Sequence, residues 1–287
     1  MKLKQSSRNS AKCALPLVSL FTLFIWGCSC PLEPTYKEKE IPRIIKKICK
    51  EEYGLDITTS RTKTTLWVYA PMDKLMHKDF GIKEEKYFDD DIMEKAANIN
   101  ITIGRVLMSS DNTPEFYVLL LSDIKLGIDY SMAGNVLDMK KLYAGFIPEE
   151  EARKRYVISI NSVPEAIGDS TGFHFMPYDI AMPGFLKDQI SQRISAYFQS
   201  EDLKGCFKVD KSEGEFNGGV FLFKYSIEEI AKPKRRIKIR NEILNIISYC
   251  LKTYEFKDFE VVSMLDLRNE ERLNYTRQEI LSRIIPF

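Results

Sequence analysis

The stretch EFYVLLLSD at residues 115–123 decides the fold class, because strand-like sequence here stands between two helix-like stretches. Its apolar run, Phe116 to Leu121, has the length and composition of a buried strand. Before it, apolar residues recur at helical spacing over about 88–109. After it, a short helix is expected at about 136–143. The order helix, strand, helix indicates a mixed α and β architecture.

The second half of the chain repeats this order. The strand-like stretch FEVVSMLD at 259–266 follows a helical stripe at about 236–254 and precedes a short helix at about 277–284. A further helix and a hairpin come earlier in each half. In the first half we expect the helix at about 41–53 and the hairpin strands near Ile57 and in TTLWVYA (64–70). In the second half we expect the helix at about 185–199 and the hairpin strands in CFKVD (206–210) and GGVFLFKY (218–225).

The sequence therefore predicts an α+β fold of two similar helix–hairpin–helix–strand modules, each with a mainly antiparallel sheet covered by helices. The closing triplets Asp129-Tyr130-Ser131 and Asn274-Tyr275-Thr276 are expected to correspond. The modules are assigned to 41–144 and 185–287. A single ordinary α+β chain in which the repetition is chance is the alternative.

Polar residues mark the connections. Residues 60–63 and 212–219, the latter containing Asn217-Gly218, are expected to connect the hairpin strands. Residues 145–184 contain four prolines and four glycines and are interpreted as a linker between the modules, with one strand of its own at Tyr156 to Ile160.

The first 27 residues have the layout of an export signal. A basic segment is followed by an apolar run from Cys13 to Trp26, which as a helix is too short to cross a bilayer. The run ends in Ile25-Trp26-Gly27-Cys28, which resembles the lipobox of bacterial lipoprotein precursors. Cys30 is an alternative acceptor, and an uncleaved anchor or an ordinary signal is the alternative to lipidation.

This resemblance implies that Cys28 carries the lipid, including palmitate, once residues 1–27 are removed. Residues 28–40 would then be a short tether. The implied location is the bacterial cell envelope, and Ser29 after the lipidated cysteine implies the outer membrane, facing the periplasm. At the level of topology only, the body resembles BON-type and other small repeated envelope modules, through Gly218 to Leu222; no functional residue is carried over from them.

Composition and motifs exclude several classes. Lys and Arg number 42 against 41 Asp and Glu, so the chain has no bulk attraction for nucleic acid. Only His77 and His174 are present, and no zinc, nucleophile-elbow or phosphate-loop motif occurs, so we expect neither metal nor cofactor. The acidic runs 89–91 and 149–151 are interpreted as helix starts, with a cation site as the alternative for 89–91.

Two segments are candidate binding sites. Residues 172–179 place Phe173, Phe175 and Tyr178 around His174, as a loop packed on the core or as a partner-docking surface. Catalysis by His174 with Asp179 is a third interpretation. Residues 232–240 contain six basic residues and are interpreted as a solvated helix entry or as a contact for anionic lipid or glycan, through Lys232, Lys234, Arg235 and Arg236.

The sequence does not decide whether the cysteines are free or paired in disulfides. An oxidising envelope allows disulfides among Cys30, Cys49, Cys206 and Cys250, of which Cys206 with Cys250 is one pairing. Cys49 and Cys250 also lie on apolar helix faces, where a free thiol packs as a small apolar group.

The function predicted from these features is that of a membrane-tethered envelope lipoprotein acting as a binding or scaffold module for an envelope protein, a lipid or a glycan. The first alternative is an envelope hydrolase or transferase with a carboxylate site near Asp123 and Asp129. The second is a transporter's substrate-binding lipoprotein, which requires two lobes of parallel strands.

Overall fold

Each half of the chain folds as a helix, a hairpin, a second helix, a second hairpin and a short third helix. The computed structural model describes residues 35–75 and 88–284. In the first half the elements are α1 (Ile41–Tyr53), β1 (Thr58–Arg61), β2 (Thr65–Met72), α2 (Asp90–Met108), β3 (Phe116–Asp123), β4 (Ile128–Asn135) and α3 (Val136–Tyr143).

The second half has the same order. Its elements are α5 (Met182–Phe198), β6 (Phe207–Asn217), β7 (Val220–Glu229), α6 (Ile239–Thr253), β8 (Val261–Asp266), β9 (Glu271–Thr276) and α7 (Arg277–Ser282). Between the halves lie α4 (Glu149–Arg153) and β5 (Val157–Ser162). Short 3-10 turns occur at Glu38–Glu40, Pro164–Ala166 and Glu201–Leu203.

The two sheets share one topology. The first has the order β1-β2-β3-β4-β5 and the second β6-β7-β8-β9. Within each sheet only the central pair, β2 with β3 or β7 with β8, is parallel. A parallel pair needs a crossover connection, and α2 and α6 lie in those crossovers. The predicted α+β fold of two similar, mainly antiparallel modules is thus confirmed, with a full fourth strand in each module.

Each module has its own hydrophobic core between helices and sheet. In the first, Ile45 of α1 and Ile103 of α2 are fully buried against β2 and β3. In the second, Ile190 of α5 and Ile247 of α6 are fully buried against Phe221 of β7. Burial of each such side chain stabilises the fold by about 1.5–3 kcal/mol. The chain from Tyr36 onward forms one compact unit that contains both cores.

The hairpin of the second module turns more tightly than expected. Strands β6 and β7 extend to Asn217 and from Val220, so the turn consists of Gly218 and Gly219 alone. Both have positive φ, at 55° and 79°, a conformation that glycine adopts without strain. Most of the polar run 212–219 is therefore strand rather than connection.

Residues 145–184, predicted to link the modules, contribute to the first sheet. Strand β5 pairs antiparallel with β4, which makes it the fifth strand and an edge of that sheet. The side-chain amide of Gln192, on α5, donates to the carbonyl of Ile158 at 2.6 Å and accepts from its N–H at 3.0 Å. The second module thereby contacts the outer edge of the first sheet.

A buried polar network joins α3, α4 and the helices of the second module. Arg155 contacts Asp138 at 2.6 Å and Glu151 at 2.9 Å, and its side chain is only 7 % exposed. Glu151 also receives a bidentate contact from Arg193, at 2.6 and 3.1 Å. Tyr254 donates to the second oxygen of Asp138. Although burial alone would lower the pKa of Arg155, Asp138 beside it raises that pKa above its ordinary value.

The described residues bear on the expectations about membrane-spanning helices and disulfides, but not on the one about the signal segment. The predicted signal, Cys28 and most of the tether lie outside the described residues. Within the described residues, no helix is long and apolar enough to cross a membrane. Cys206 and Cys250 are free thiols, so the disulfide considered between them is not formed, and Cys49 is a buried free thiol too.

Candidate functional site

A loop formed by residues 168–181, here named the covering loop, lies across the face of the first sheet opposite to α1 and α2. All the even-numbered and nearly all the odd-numbered residues of β2 and β3 are buried, so both faces of these strands are covered. On the loop side, the ring of Trp67 lies 4.5 Å from that of Phe175 and 5.0 Å from that of Tyr178, centroid to centroid. Trp67 Nε1 also donates to the Tyr178 carbonyl at 2.9 Å.

His174 holds the middle of this loop between two carboxylates. Its Nδ1 lies 2.8 Å from Asp169 Oδ2, and its Nε2 lies 3.1 Å from Asp129 Oδ2 on β4. The histidine side chain is 3 % exposed. Ser122 donates to the other oxygen of Asp129 at 2.6 Å, which holds that acid in place.

Asp169 organises the loop's first turn. Its carboxylate accepts backbone N–H groups from Thr171, Gly172 and His174, at 2.8 to 2.9 Å. Burial would raise the pKa of Asp169, but the hydrogen bonds from His174 and Thr171 together hold it well below its ordinary value. A Cβ on Gly172 would lie 3.0 Å from the ring of Tyr69, and the φ of Gly172 is 84°, so both the close approach and the backbone conformation favour glycine where the loop meets the strand. We name Asp169, His174 and Asp129 the clamp.

The far end of the covering loop is fixed by Asp179. Its Oδ1 accepts from the backbone N–H of Thr64 at 2.8 Å and from the Thr64 hydroxyl at 2.9 Å. Hydrogen bonds from Thr62 and Thr64 lower the pKa of Asp179 to about 2. Asp179 therefore anchors the loop to the β1–β2 turn, and the partners of His174 are Asp169 and Asp129.

The clamp turns some of the predicted docking residues inward and others outward. His174 and Phe175 face the sheet, whereas Phe173 is 90 % exposed and Tyr178 is 61 % exposed. Met176, between them, is 84 % exposed. We name Phe173, Met176 and Tyr178 the display surface. The segment is thus both a loop packed on the sheet and a set of exposed apolar side chains.

A groove of about 490 Å³ adjoins the display surface at Tyr178. Its lining includes Val118, Ala133 and Val157 of the sheet and Gly184 at the start of α5. It marks the place where the covering loop and α5, which both cover this face, diverge. Small side chains in the sheet and at the helix start leave the space open.

The carboxylates named in the enzyme hypothesis are occupied by structural contacts. Asp123 is fully buried and accepts the backbone N–H groups of Leu75, Lys125 and Leu126, at 2.8 to 3.0 Å. Asp129 belongs to the clamp. Both acids therefore have their hydrogen-bonding capacity used by the fold, which favours a structural role for the pair.

A second cleft, of about 520 Å³, is lined by three other acids, Glu115, Asp138 and Glu255. Lys140 and Lys141 line it as well. Both oxygens of Asp138 are bonded, to Arg155 and to Tyr254. Burial raises the pKa of Glu115 above its ordinary value. The hydrogen bonds of Asp138 give that acid a structural role in the wall of the cleft.

The remaining acidic runs begin helices, as expected. Asp89 is the N-cap of α2, and its side chain accepts from the N–H of Asp91 at 3.2 Å. Glu149 opens α4. Among residues 35–75 and 88–284, no three His, Cys, Asp or Glu side chains are placed to hold a metal ion. His77 lies outside the described residues.

The basic segment forms an exposed strap before α6. Lys232, Lys234, Arg235 and Arg236 are all exposed, while Pro233 beside them is buried. Only Arg235 of these four has a hydrogen bond from its side chain to another described residue, to the Tyr197 hydroxyl at 2.7 Å.

Asp169 and Met176 were not predicted as site residues, and Asp129 was expected only as a carboxylate of the enzyme alternative, not as a partner of His174. The run Asp169-Ser170-Thr171-Gly172 has the pattern of an Asx turn, in which an aspartate bonds the amides that follow it. That signal could have identified Asp169. Asp129 is separated from His174 by 45 residues, and no local pattern joins them.

Comparisons with protein-family profiles, with curated proteins and with solved structures find no match to this chain.

Proposed function

We propose that this protein is a lipid-anchored binding module of the bacterial cell envelope, which docks a partner protein through the display surface. The observation that carries the proposal is the clamp. It holds a loop rigidly on the sheet while Phe173, Met176 and Tyr178 face solvent at 90 %, 84 % and 61 % exposure.

Rigid presentation is what distinguishes these side chains from ordinary exposed apolar residues. Isolated apolar residues on a surface need no explanation, whereas a cluster of aromatic residues and methionine is typical of interface centres. A loop that is already fixed by hydrogen bonds loses little conformational entropy when a partner binds. Asp169 and Asp179 supply such bonds at both ends of the covering loop. The aromatic rings can therefore serve as anchors without first being ordered.

The anchor in this proposal is Cys28. Its assignment is supported by the resemblance of residues 25–28 to a lipobox and by the basic and apolar segments that precede them. Several acyl chains, at about 0.8 kcal/mol for each buried methylene, give stable attachment to a bilayer. The proposed location is the outer membrane, facing the periplasm.

The docking proposal is tested by site-specific photo-crosslinking in living cells. The crosslinking residue p-benzoylphenylalanine replaces Phe173 in one strain and Phe146, which is 80 % exposed and lies just after α3, in the control strain. We expect a discrete adduct from position 173 and none of that size from position 146. Adding Asp169→Asn, which loosens the loop, should reduce the adduct several-fold. Identical adducts from both positions, or none from position 173, would refute docking at this surface.

The anchor is tested by metabolic labelling with radioactive palmitate. Wild type and Cys30→Ser should incorporate label and stay with membranes, whereas Cys28→Ser should do neither. Equal labelling of the two serine variants would overturn the assignment of Cys28 and leave the docking proposal unaffected.

A further inference from the structure

The segment Lys232 to Lys238 presents a cluster of exposed basic side chains. The side chains of Lys232, Lys234, Arg236 and Lys238 are exposed, and none of the four makes an ion pair or a hydrogen bond with another described residue. No acidic residue occurs between Glu229 and Glu242 in the sequence. The cluster is therefore a compact source of positive potential on a protein whose net charge is only +1.

The backbone of this segment is held close to the protein. Pro233 and Ile237 are buried, and Ile237 packs into the core of the second module at 8 % exposure. Just before the segment, the N–H groups of Ile230 and Ala231 both donate to the Cys206 carbonyl, at 2.9 and 3.2 Å. Pro233 and Ile237 face inward, and the basic side chains between and beside them are therefore directed outward. The charges therefore act together, as those of a free chain would not.

An apolar residue borders the basic cluster. Ile230 is 57 % exposed, two positions before Lys232. A soluble polyanion, such as a sulfated glycan or polyphosphate, offers the cluster negative charge but no hydrocarbon. A bilayer with anionic lipids offers both, because the headgroups attract bases while the interface accepts an apolar side chain. Charge and apolar exposure together favour the bilayer.

We infer that the segment 230–238 is a membrane-contact site, which binds an anionic phospholipid surface through Lys232, Lys234, Arg236 and Lys238 and inserts Ile230 at the interface. The contact is independent of the lipid on Cys28 and of docking by the display surface. In a tethered protein it would orient the second module against the membrane.

The test uses residues 35–287, which contain both hydrophobic cores and every described element, so that no acyl chain or leader contributes to binding. Binding is measured by co-sedimentation with vesicles of phosphatidylcholine alone and with vesicles that contain phosphatidylglycerol as about a third of the lipid. We expect binding to the anionic vesicles only, weakening as salt is raised because screening shortens the range of attraction. Equal binding to both vesicle types would overturn the inference.

Charge-reversed variants locate the site. Each base near an anionic surface contributes about fivefold to the partition coefficient, so Lys234→Glu with Arg236→Glu should weaken binding by at least about 25-fold. The matched control, Lys46→Glu with Lys63→Glu, changes net charge equally at two exposed lysines of the first module and should weaken binding far less. Circular dichroism confirms that both variants remain folded. Equal losses in the two variants would show that net charge, not this segment, drives binding.

Ile230→Ser distinguishes a bilayer from a soluble polyanion. It should weaken binding to anionic vesicles several-fold and leave the affinity for soluble polyphosphate unchanged. If polyphosphate binds as tightly as the vesicles and Ile230→Ser affects neither, the site recognises a soluble polyanion and the membrane inference is wrong.

Discussion

One carboxylate oxygen of Asp169, Oδ2, lies 2.8 Å from the ring Nδ1 of His174 and also 2.8 Å from its backbone nitrogen. The side chain and the main chain of one histidine are thus fixed by a single atom. Because the other ring nitrogen faces Asp129 on β4, the contact ties the covering loop to the sheet. The loop depends on this one residue more than on any of its exposed aromatic side chains.

Replacing His174 by alanine should therefore destabilise the protein markedly. Two carboxylates, whose side chains are only 9 % and 12 % exposed, would lose the group between them. Removing the hydrogen-bond partner of a buried polar group costs about 1–3 kcal/mol, and more when that group is charged. Urea denaturation measures the change, with Trp67 fluorescence as the signal, since residues 35–287 contain no other tryptophan.

Phe173→Ala is the control for this measurement, because the neighbouring side chain is 90 % exposed. It should change the free energy of unfolding by no more than about 0.5 kcal/mol. If the two variants are equally stable, the clamp does not hold the loop.

Acid should release the covering loop at its Asp179 end. The pKa of Asp179 is about 2 in the folded protein, against about 3.9 in an unfolded chain. A lowered pKa contributes stability that is complete above about pH 4 and is lost as the pH falls through about 2. Trp67 fluorescence should accordingly change between these values. Asp179→Asn should flatten that part of the titration, and an unchanged profile in the variant would contradict the assignment.

Arg155→Met should show that a buried ion pair contributes more to the stability of this protein than an exposed one. Arg155 and Asp138 are 7 % and 10 % exposed, so removing the guanidinium leaves a buried carboxylate without its cation and costs about 3–5 kcal/mol. The adjacent Lys154 pairs with Glu150 at the surface, and Lys154→Met should cost no more than about 0.5 kcal/mol. Thermal unfolding of both single variants measures these costs. The double variant Arg155→Met with Asp138→Asn shows how much of the first cost comes from the contact between these two residues.

Gly214 sets the distance between β6 and α5. A Cβ at this position would lie 2.5 Å from the Lys187 carbonyl oxygen, and a backbone atom of a packed helix cannot move aside cheaply. Gly214→Ala should destabilise the protein by about 1–3 kcal/mol. Gly184→Ala, in the first turn of α5 with nothing within 4 Å of the added carbon, should be neutral or slightly stabilising. Chemical denaturation ranks the two, and the reverse order would show that the helix can shift.

Local patterns predicted the repeated modules well, because helical stripes and apolar strands are written in consecutive residues. The stripe through Ile92 and Ile103 predicted α2, and the run from Phe116 predicted β3. The parallel pairing of β2 with β3 was less accessible, since it depends on where the crossover helix packs. The expected match of the two closing triplets was wrong: Asp129 lies six residues before the N-cap Asn135, while Asn274 lies two before the N-cap Thr276.

The candidate site was predicted only in part. Phe173 and Tyr178 were found as exposed residues because aromatic side chains in a polar segment stand out. Their orientation could not be read from the sequence, since it follows from His174 reaching Asp129, a contact between distant parts of the chain. Likewise, Pro- and Gly-rich composition indicated a linker at 145–184, although β5 within it pairs with β4. Pairing of an edge strand depends on what its neighbour exposes.

The amide of Gln192 on the backbone of Ile158 has a consequence for solubility. An open edge strand invites the same strand of another molecule to extend the sheet, which is the first step of fibril growth. Both Ile158 and Ile160 are substantially exposed on β5, so this edge is apolar as well as accessible. Gln192 occupies the N–H and the carbonyl of Ile158, which a second chain would need for pairing at that position. Gln192→Ala should therefore shorten the lag before turbidity or thioflavin fluorescence rises in concentrated samples, and an unchanged lag would assign the protection elsewhere.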